Sequence, residues 1–187
     1  MRIDPQIHHR RSIRLKAYDY SLAGAYFVTV CVENQECLLG EVVDSDVWLS
    51  EPGGVVQDEW DRLPIRFPTI ELDAFQIVPN RISGILVITD SCTPITAPVG
   101  ALLAAPKTAQ EGRTSLFRVM RAFKSITAIA CNRILNQSGV SFWQRGYHEH
   151  IIRNQRELEE IRAYIANNPA KWQEDHENPN HHEQGPS

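Results

Sequence analysis

Two apolar runs, "IELDAFQIV" from Ile70 to Val78 and "ISGILVI" from Ile82 to Ile88, meet at Pro79-Asn80, and this stretch constrains the fold most. Both runs are rich in β-branched and aromatic residues and read as strands. At the head of the second run sit Arg81 and Ser83, two residues apart. Strand side chains alternate between faces, so these two project from the same one. An arginine and a serine side by side on a largely apolar strand call for an explanation.

The other elements follow from local pattern. "AYFVTVCV", Ala25 to Val32, is a strand, "ECLLGEVV" after the turn-like "ENQ" reads as its hairpin partner, and "VWLS" is a short third run. Ser50 and "EPGG" open a helix whose apolar residues are Val55, Val56, Trp60 and Leu63, ended or bent at Pro64. From Ser115 to Leu135 the spacing of Leu116, Val119, Met120, Phe123, Ile126, Ile129 and Ala130 predicts an amphipathic helix. "SFWQRGYHEHIIR" is extended in character. Asn154 caps a last helix with Leu158, Ile161 and Ile165 on its apolar face, and Asn168-Pro169 ends it. The order strand, strand, helix, strand, strand, helix, strand, helix is α+β, most simply an antiparallel sheet covered by helices on one face. A ferredoxin-like arrangement fits.

At 187 residues with 42% hydrophobic content, the chain is expected to form one domain with a real core. The expected organisation is a basic arm over 1–20, a domain over 21–172 containing a Pro/Ala/Thr/Gly-rich flexible loop at 91–112, and a disordered acidic tail over 173–187. No run is long and apolar enough for a membrane span, and the N-terminus lacks the apolar core of a signal peptide, so a cytoplasmic location is expected. Cys31, Cys37, Cys92 and Cys131 form no C-x-x-C pair and read as buried or free thiols.

The net charge of −4 hides an uneven distribution. Arg2, Arg10, Arg11, Arg14 and Lys16 face only Asp4 over residues 1–16, and Arg113, Arg118, Arg121, Lys124 and Arg133 span a stretch with no acid. One-sided cations on an amphipathic helix suit backbone phosphates, with Phe142, Trp143 and Tyr147 as candidate stacking surfaces for unpaired bases. Such aromatics are more often core, and such cations more often solvate a surface. Tyr164 and Asn168, four apart, share a face of the last helix; an edge tyrosine is usually a packing residue. His148 and His150 share a strand face, with Glu149 opposite, and could bind a metal; a surface histidine pair is as good a reading. No phosphate-binding glycine loop, nucleophile elbow or H-E-x-x-H motif is present.

Taken in order, "RRSIRLKAYDYSLAGAYFVTV", "FQIVPNRISGIL", "RAFKS" and "FWQRGYHEHIIRNQRELEEIRAYIANNP" closely resemble the REP-associated single-tyrosine transposases of the His-hydrophobic-His (HUH) class, over about residues 10–172. The resemblance implies cleavage and rejoining of single-stranded DNA hairpins or repeats through a 5′-phosphotyrosine intermediate, with magnesium or manganese as cofactor and a homodimer as the usual state. It maps the nucleophile onto Tyr164 and a metal ligand onto Asn168, with His150 and His148 nearby as possible replacement ligands. Arg10, Arg11, Arg14, Arg118, Arg121, Lys124, Arg145 and Arg153 are the expected DNA contacts. The family pattern Pro-Asn-His-hydrophobic-His reads here as Pro79-Asn80-Arg81-Ile82-Ser83, so both metal-binding histidines are replaced. Arginine offers a metal no lone pair and stays charged; serine is a weak ligand. Metal-assisted cleavage is therefore expected to be impaired. The competing expectations are a non-catalytic DNA-binding relic or regulator, and a ferredoxin-like domain that binds a protein or small ligand.

Overall fold

The computed structural model describes residues 23–89, 115–175 and 178–179. The expected arm, the 91–112 loop, Cys92, Arg10, Arg11, Arg14 and most of the expected tail lie outside the described residues.

Four strands form the main sheet: β1 (Gly24–Cys31), β4 (Ile70–Val78), β5 (Arg81–Ile88) and β6 (His148–Ile152). Their spatial order is β4-β5-β1-β6, and every neighbouring pair is antiparallel. That is the ferredoxin-like order. A separate ribbon pairs β2 (Gly40–Val43) with β3 (Asp46–Leu49). The segment expected to be the hairpin partner of β1 therefore pairs forward, and β1 pairs with β5 and β6 instead. The cause is the largely apolar character of β1, which suits a central strand with neighbours on both edges. The Pro79-Asn80 turn is stitched to this region: Leu39 N–H donates to the Pro79 carbonyl (2.9 Å) and Val32 N–H to that of Asn80 (2.8 Å).

The helices are α1 (Glu51–Asp61), the short α2 (Leu63–Arg66), α3 (Leu116–Ile134) and α4 (Gln155–Asn167). Their starts follow the sequence signals. Ser50 Oγ accepts from Gly53 N–H (3.1 Å), Ser115 Oγ from Arg118 N–H (3.3 Å) and Asn154 Oδ1 from Glu157 N–H (2.9 Å), each cap satisfying an otherwise orphaned donor of the first turn.

The helices cover both faces of the sheet, not one. Tyr26, Val28, Val30, Ile82 and Leu86 pack with Val56 and Trp60 of α1 and with Val119, Met120 and Phe123 of α3. On the opposite face Ala25, Phe27, Ile85, Val87 and Ile152 pack with Leu158 and Ile165 of α4. β5 is consequently buried along its whole length. The buried stripe of α3 turns through Thr127 and Cys131, leaving Ile129 exposed. Thr127 serves because its hydroxyl is satisfied in place, donating to the Phe123 carbonyl (2.8 Å) and accepting from Trp143 Nε1 (2.9 Å).

Trp60 lies flat on Phe75, with ring centroids 4.4 Å apart, and edge-on to Phe123. Gly84 makes room for it, since a Cβ there would meet Trp60 Cζ2 at 2.5 Å and Cη2 at 2.8 Å. Gly84→Ala is expected to destabilise the protein by about 1–3 kcal/mol through overpacking, read from the midpoint of urea unfolding.

Candidate functional site

The face of the sheet under α4 gathers the polar residues that the sequence singles out. Register places Arg81 opposite Cys31, Ser83 opposite Thr29, Thr29 opposite His148 and Phe27 opposite His150. Arg81, Ser83, Thr29, His148 and His150 thus share the face that α4 covers. α4 itself is held at two points. Arg162 Nε donates to Asp73 Oδ1 (2.7 Å), and its Nη2 donates to Oδ2, a bidentate ion pair. Asp73 lies at the irregularity in the β4 register between Leu72 and Phe75. At the other end Glu157 Oε2 accepts from Arg153 N–H (2.7 Å) and its Oε1 lies 2.6 Å from His150 Nε2. Burial raises the Glu157 carboxyl, but these hydrogen bonds from Arg153 and His150 outweigh it and hold Glu157 below its ordinary range.

Arg81 is the central group. Its side chain is only 4% exposed, and Nη2 donates to Asp175 Oδ2, forming an ion pair. Nη1 lies 3.3 Å from Asn80 Oδ1, and the Trp172 ring sits over the guanidinium at 5.6 Å. Asp175, assigned from sequence to the tail, follows the 3₁₀ turn Trp172–Glu174 and is largely covered. Ser83, also buried, shares a hydrogen bond with Thr29 Oγ1 (3.3 Å).

Tyr164 stands at the margin, 47% exposed and edge-on to Phe27 with centroids 5.9 Å apart. His148 approaches the same Phe27 ring at 6.1 Å. Asn168, one turn beyond Tyr164, is buried, and its Nδ2 has no hydrogen-bond partner among the described residues.

Several expected contacts fall elsewhere. Lys124 does not face solvent as a free phosphate ligand, because its ammonium donates to the Gln144 carbonyl (2.7 Å) and to that of Gly146. Burial pushes it below the ordinary lysine range, against the pull of Cys31 and Glu33. Phe142 and Trp143 belong to the core and Tyr147 packs against it, so these rings are not exposed stacking surfaces. Arg118 and Arg121 are exposed on α3, across the sheet from Tyr164, whereas Arg145 and Arg153 are exposed on either side of β6. Sequence reading missed Asp175, Thr29 and Asp73; only the position of Asp175 just beyond the aromatic Trp172 offered a local signal.

The donor set does not suit a divalent cation. Among the described residues no three of His, Cys, Asp and Glu converge. A buried guanidinium stands beside Ser83, and His150 is engaged by Glu157. A second cation at Arg81 would meet direct repulsion in a region of low dielectric.

No protein-family model matches the chain. An uncharacterised protein of Haemophilus influenzae is 37% identical over 171 residues, covering 90% of this chain and 93% of its own. This chain belongs to that protein's family. Among solved structures, a REP-associated tyrosine transposase bound to a REP hairpin is similar with a TM-score of 0.55 and 19% identity, over 85% of this chain and 74% of that one. At that identity the likeness is one of fold, and it agrees with the antiparallel α+β architecture described above.

Two outcomes test this geometry. Arg81→Leu leaves the Asp175 carboxylate without its counterion and is expected to cost about 3 kcal/mol, read by urea unfolding, with faster proteolysis after Lys171. The Asp73–Arg162 pair predicts acid sensitivity. The Arg162 hydrogen bond holds Asp73 below the ordinary carboxylate range, outweighing its burial. Its contribution to stability is complete above the unfolded-state value near ~3.9 and is lost as pH falls through the lower folded-state value. Asp73→Asn should flatten that part of the acid unfolding curve.

Proposed function

We propose that this chain is a single-stranded-DNA-binding protein on the transposase fold, in which metal-assisted cleavage through Tyr164 is lost. One observation carries the proposal: the guanidinium of Arg81, which the sequence resemblance aligns with the first histidine of the Pro-Asn-His-hydrophobic-His pattern, is buried and paired with Asp175. In the cleaving chemistry, a tyrosine hydroxyl with a pKa near ~10 attacks a phosphodiester, and a divalent cation polarises the phosphate and spreads its developing charge. Arg81 brings a fixed positive charge to that position but no lone pair, Ser83 is a weak ligand already bonded to Thr29, and Asn168 is a single neutral donor set. DNA as the partner is supported by the fold likeness to a protein bound to a REP hairpin and by the exposed Arg145, Arg153, Arg118 and Arg121. The expected ligands are hairpin-forming or repeat-derived single strands.

A second reading keeps cleavage alive, with His148 and His150 holding the metal beside Asn168. It is favoured by one feature, the shared contact of His148 and Tyr164 with Phe27. A single experiment separates the two. The protein is incubated with a single-stranded hairpin from a repeat flanking its gene, with magnesium, manganese or chelator, and resolved on a denaturing gel. Binding without a covalent adduct is the expected result. An adduct that needs metal and vanishes in both Tyr164→Phe and His148→Ala/His150→Ala overturns the proposal in favour of the second reading. Affinity should also fall with salt, with a logarithmic slope of about −0.7 per phosphate contacted; a flat response would point to a protein- or ligand-binding domain instead.

A further inference from the structure

α1 and α3 pack over the same face of the sheet, and their outer sides carry opposite charge. α1 has no Lys or Arg, and Glu51, Asp58 and Asp61 are exposed along it with Gly54 between them, at the three- and four-residue spacing of one helical stripe. α3 has no Asp or Glu, and Arg118, Arg121, Ser125, Ile129 and Arg133 are exposed along it in the same way. Glu59, the buried acid of α1, is already met by Arg62 and Arg66. Among the described residues, Glu51, Asp58, Arg118, Arg121 and Arg133 form no ion pair. Two contacts fix how the stripes run past each other. Cys131 Sγ lies 3.7 Å from the Pro52 carbonyl, and the rings of Trp60 and Phe123 meet at 5.6 Å. The helices are therefore antiparallel. Glu51 is level with Arg133, Gly54 with Ile129, and Asp58 and Asp61 with the stretch from Arg121 to Ser125. Ile129 is 62% exposed, while a Cβ on Gly54 would meet nothing within 4 Å.

We propose that this layer is a docking surface for a second copy of the chain, the two copies related by a two-fold axis parallel to α1 and α3. A two-fold contact must be self-complementary. Rotation about an axis along the helices keeps every residue at its height and sets each α3 against the α1 of the other copy. Arg121 then faces the partner's Asp58 and the partner's Asp61, and Arg133 faces the partner's Glu51. Ile129 seats in the open space at the partner's Gly54. A two-fold axis running across the helices would instead lay acid on acid and cation on cation, so charge selects one arrangement. DNA would find the cations of α3 but meet the acids of α1 beside them; a second copy satisfies both stripes. Arg118 lies past the end of α1 and stays at the rim. The footprint of two helices, roughly 500 Å² per copy, is at the small end for a specific interface, so a reversible dimer is expected. The proposal does not rest on the DNA-binding reading, and it leaves Arg145 and Arg153 beside β6 uncovered.

The test is sedimentation velocity on the full chain without DNA, over a concentration series at low and at raised salt. A monomer–dimer equilibrium that weakens as salt rises is the expected result. Gly54→Leu fills space that is open in the single chain. The melting temperature of dilute protein should therefore hold, while the dimer dissociation constant rises about tenfold. Arg121→Glu and Asp58→Lys/Asp61→Lys should each weaken the dimer by a similar factor, and all three changes together in one chain should restore it, because each stripe again meets its opposite. A chain that stays monomeric through the series overturns the proposal, as does a dimer indifferent to Gly54→Leu and to the charge reversals. Loss of affinity for a labelled single-stranded hairpin in Arg121→Glu, with no change in self-association, also overturns it and gives this face to DNA.

Discussion

A strand buried on both faces cannot carry an unpaired charge, and β5 is buried over all eight of its residues. Arginine stays protonated in any protein environment, so burial cannot neutralise Arg81 as it can a lysine or a carboxylate. The guanidinium must be met by an acid, and the acid has to be brought to it. The C-terminal turn past α4 does this, with Asp175 as counterion and Trp172 as cover. Ser83 obeys the same constraint at smaller cost, finding Thr29 on the adjacent strand.

The two faces of the sheet do different work. Under α1 and α3 lies a thick aromatic and aliphatic core, with Trp60, Phe75 and Phe123 in mutual contact over the space left by Gly84. Under α4 the apolar cluster is smaller, and the ion pair at Asp73 and the hydrogen bonds at Glu157 supplement it. A helix secured by its edges can keep polar groups beneath it and an exposed tyrosine at its margin. Electrostatics follows the same division. The cations of α3 lie across the sheet from Tyr164, while Arg145 and Arg153 flank β6, an edge strand of the sheet. A nucleic acid reaching Tyr164 would meet the second pair before the first.

Much of this architecture was legible locally. Ser50, Ser115 and Asn154 cap the helices as their residue types require, and Leu158 and Ile165 line α4 at the spacing that predicts an apolar face. Alternation placed Arg81 with Ser83 and His148 with His150, and the register sets both pairs on the one face that α4 covers. Local pattern failed where partners compete. β2 had two candidate neighbours and took β3, and Ile129 had the right spacing for the core yet lost its place to Thr127, whose hydroxyl finds partners there. Lys124 had the composition of a phosphate ligand, but two backbone carbonyls claim it.

The amino-acid order by itself determined the strands, the helices, their caps and which polar side chains share a face, because turn chemistry and periodicity act over a few residues. Only the tertiary structure decided that helices cover both sides of the sheet, that Arg81 faces Asp175, and that Tyr164 stands beside Phe27 and His148 at an open margin. Those contacts join positions far apart in the chain, 94 residues in the case of Arg81 and Asp175. They exist because burial forces each polar group to find a partner wherever the fold brings one within reach, and no local spacing encodes that choice.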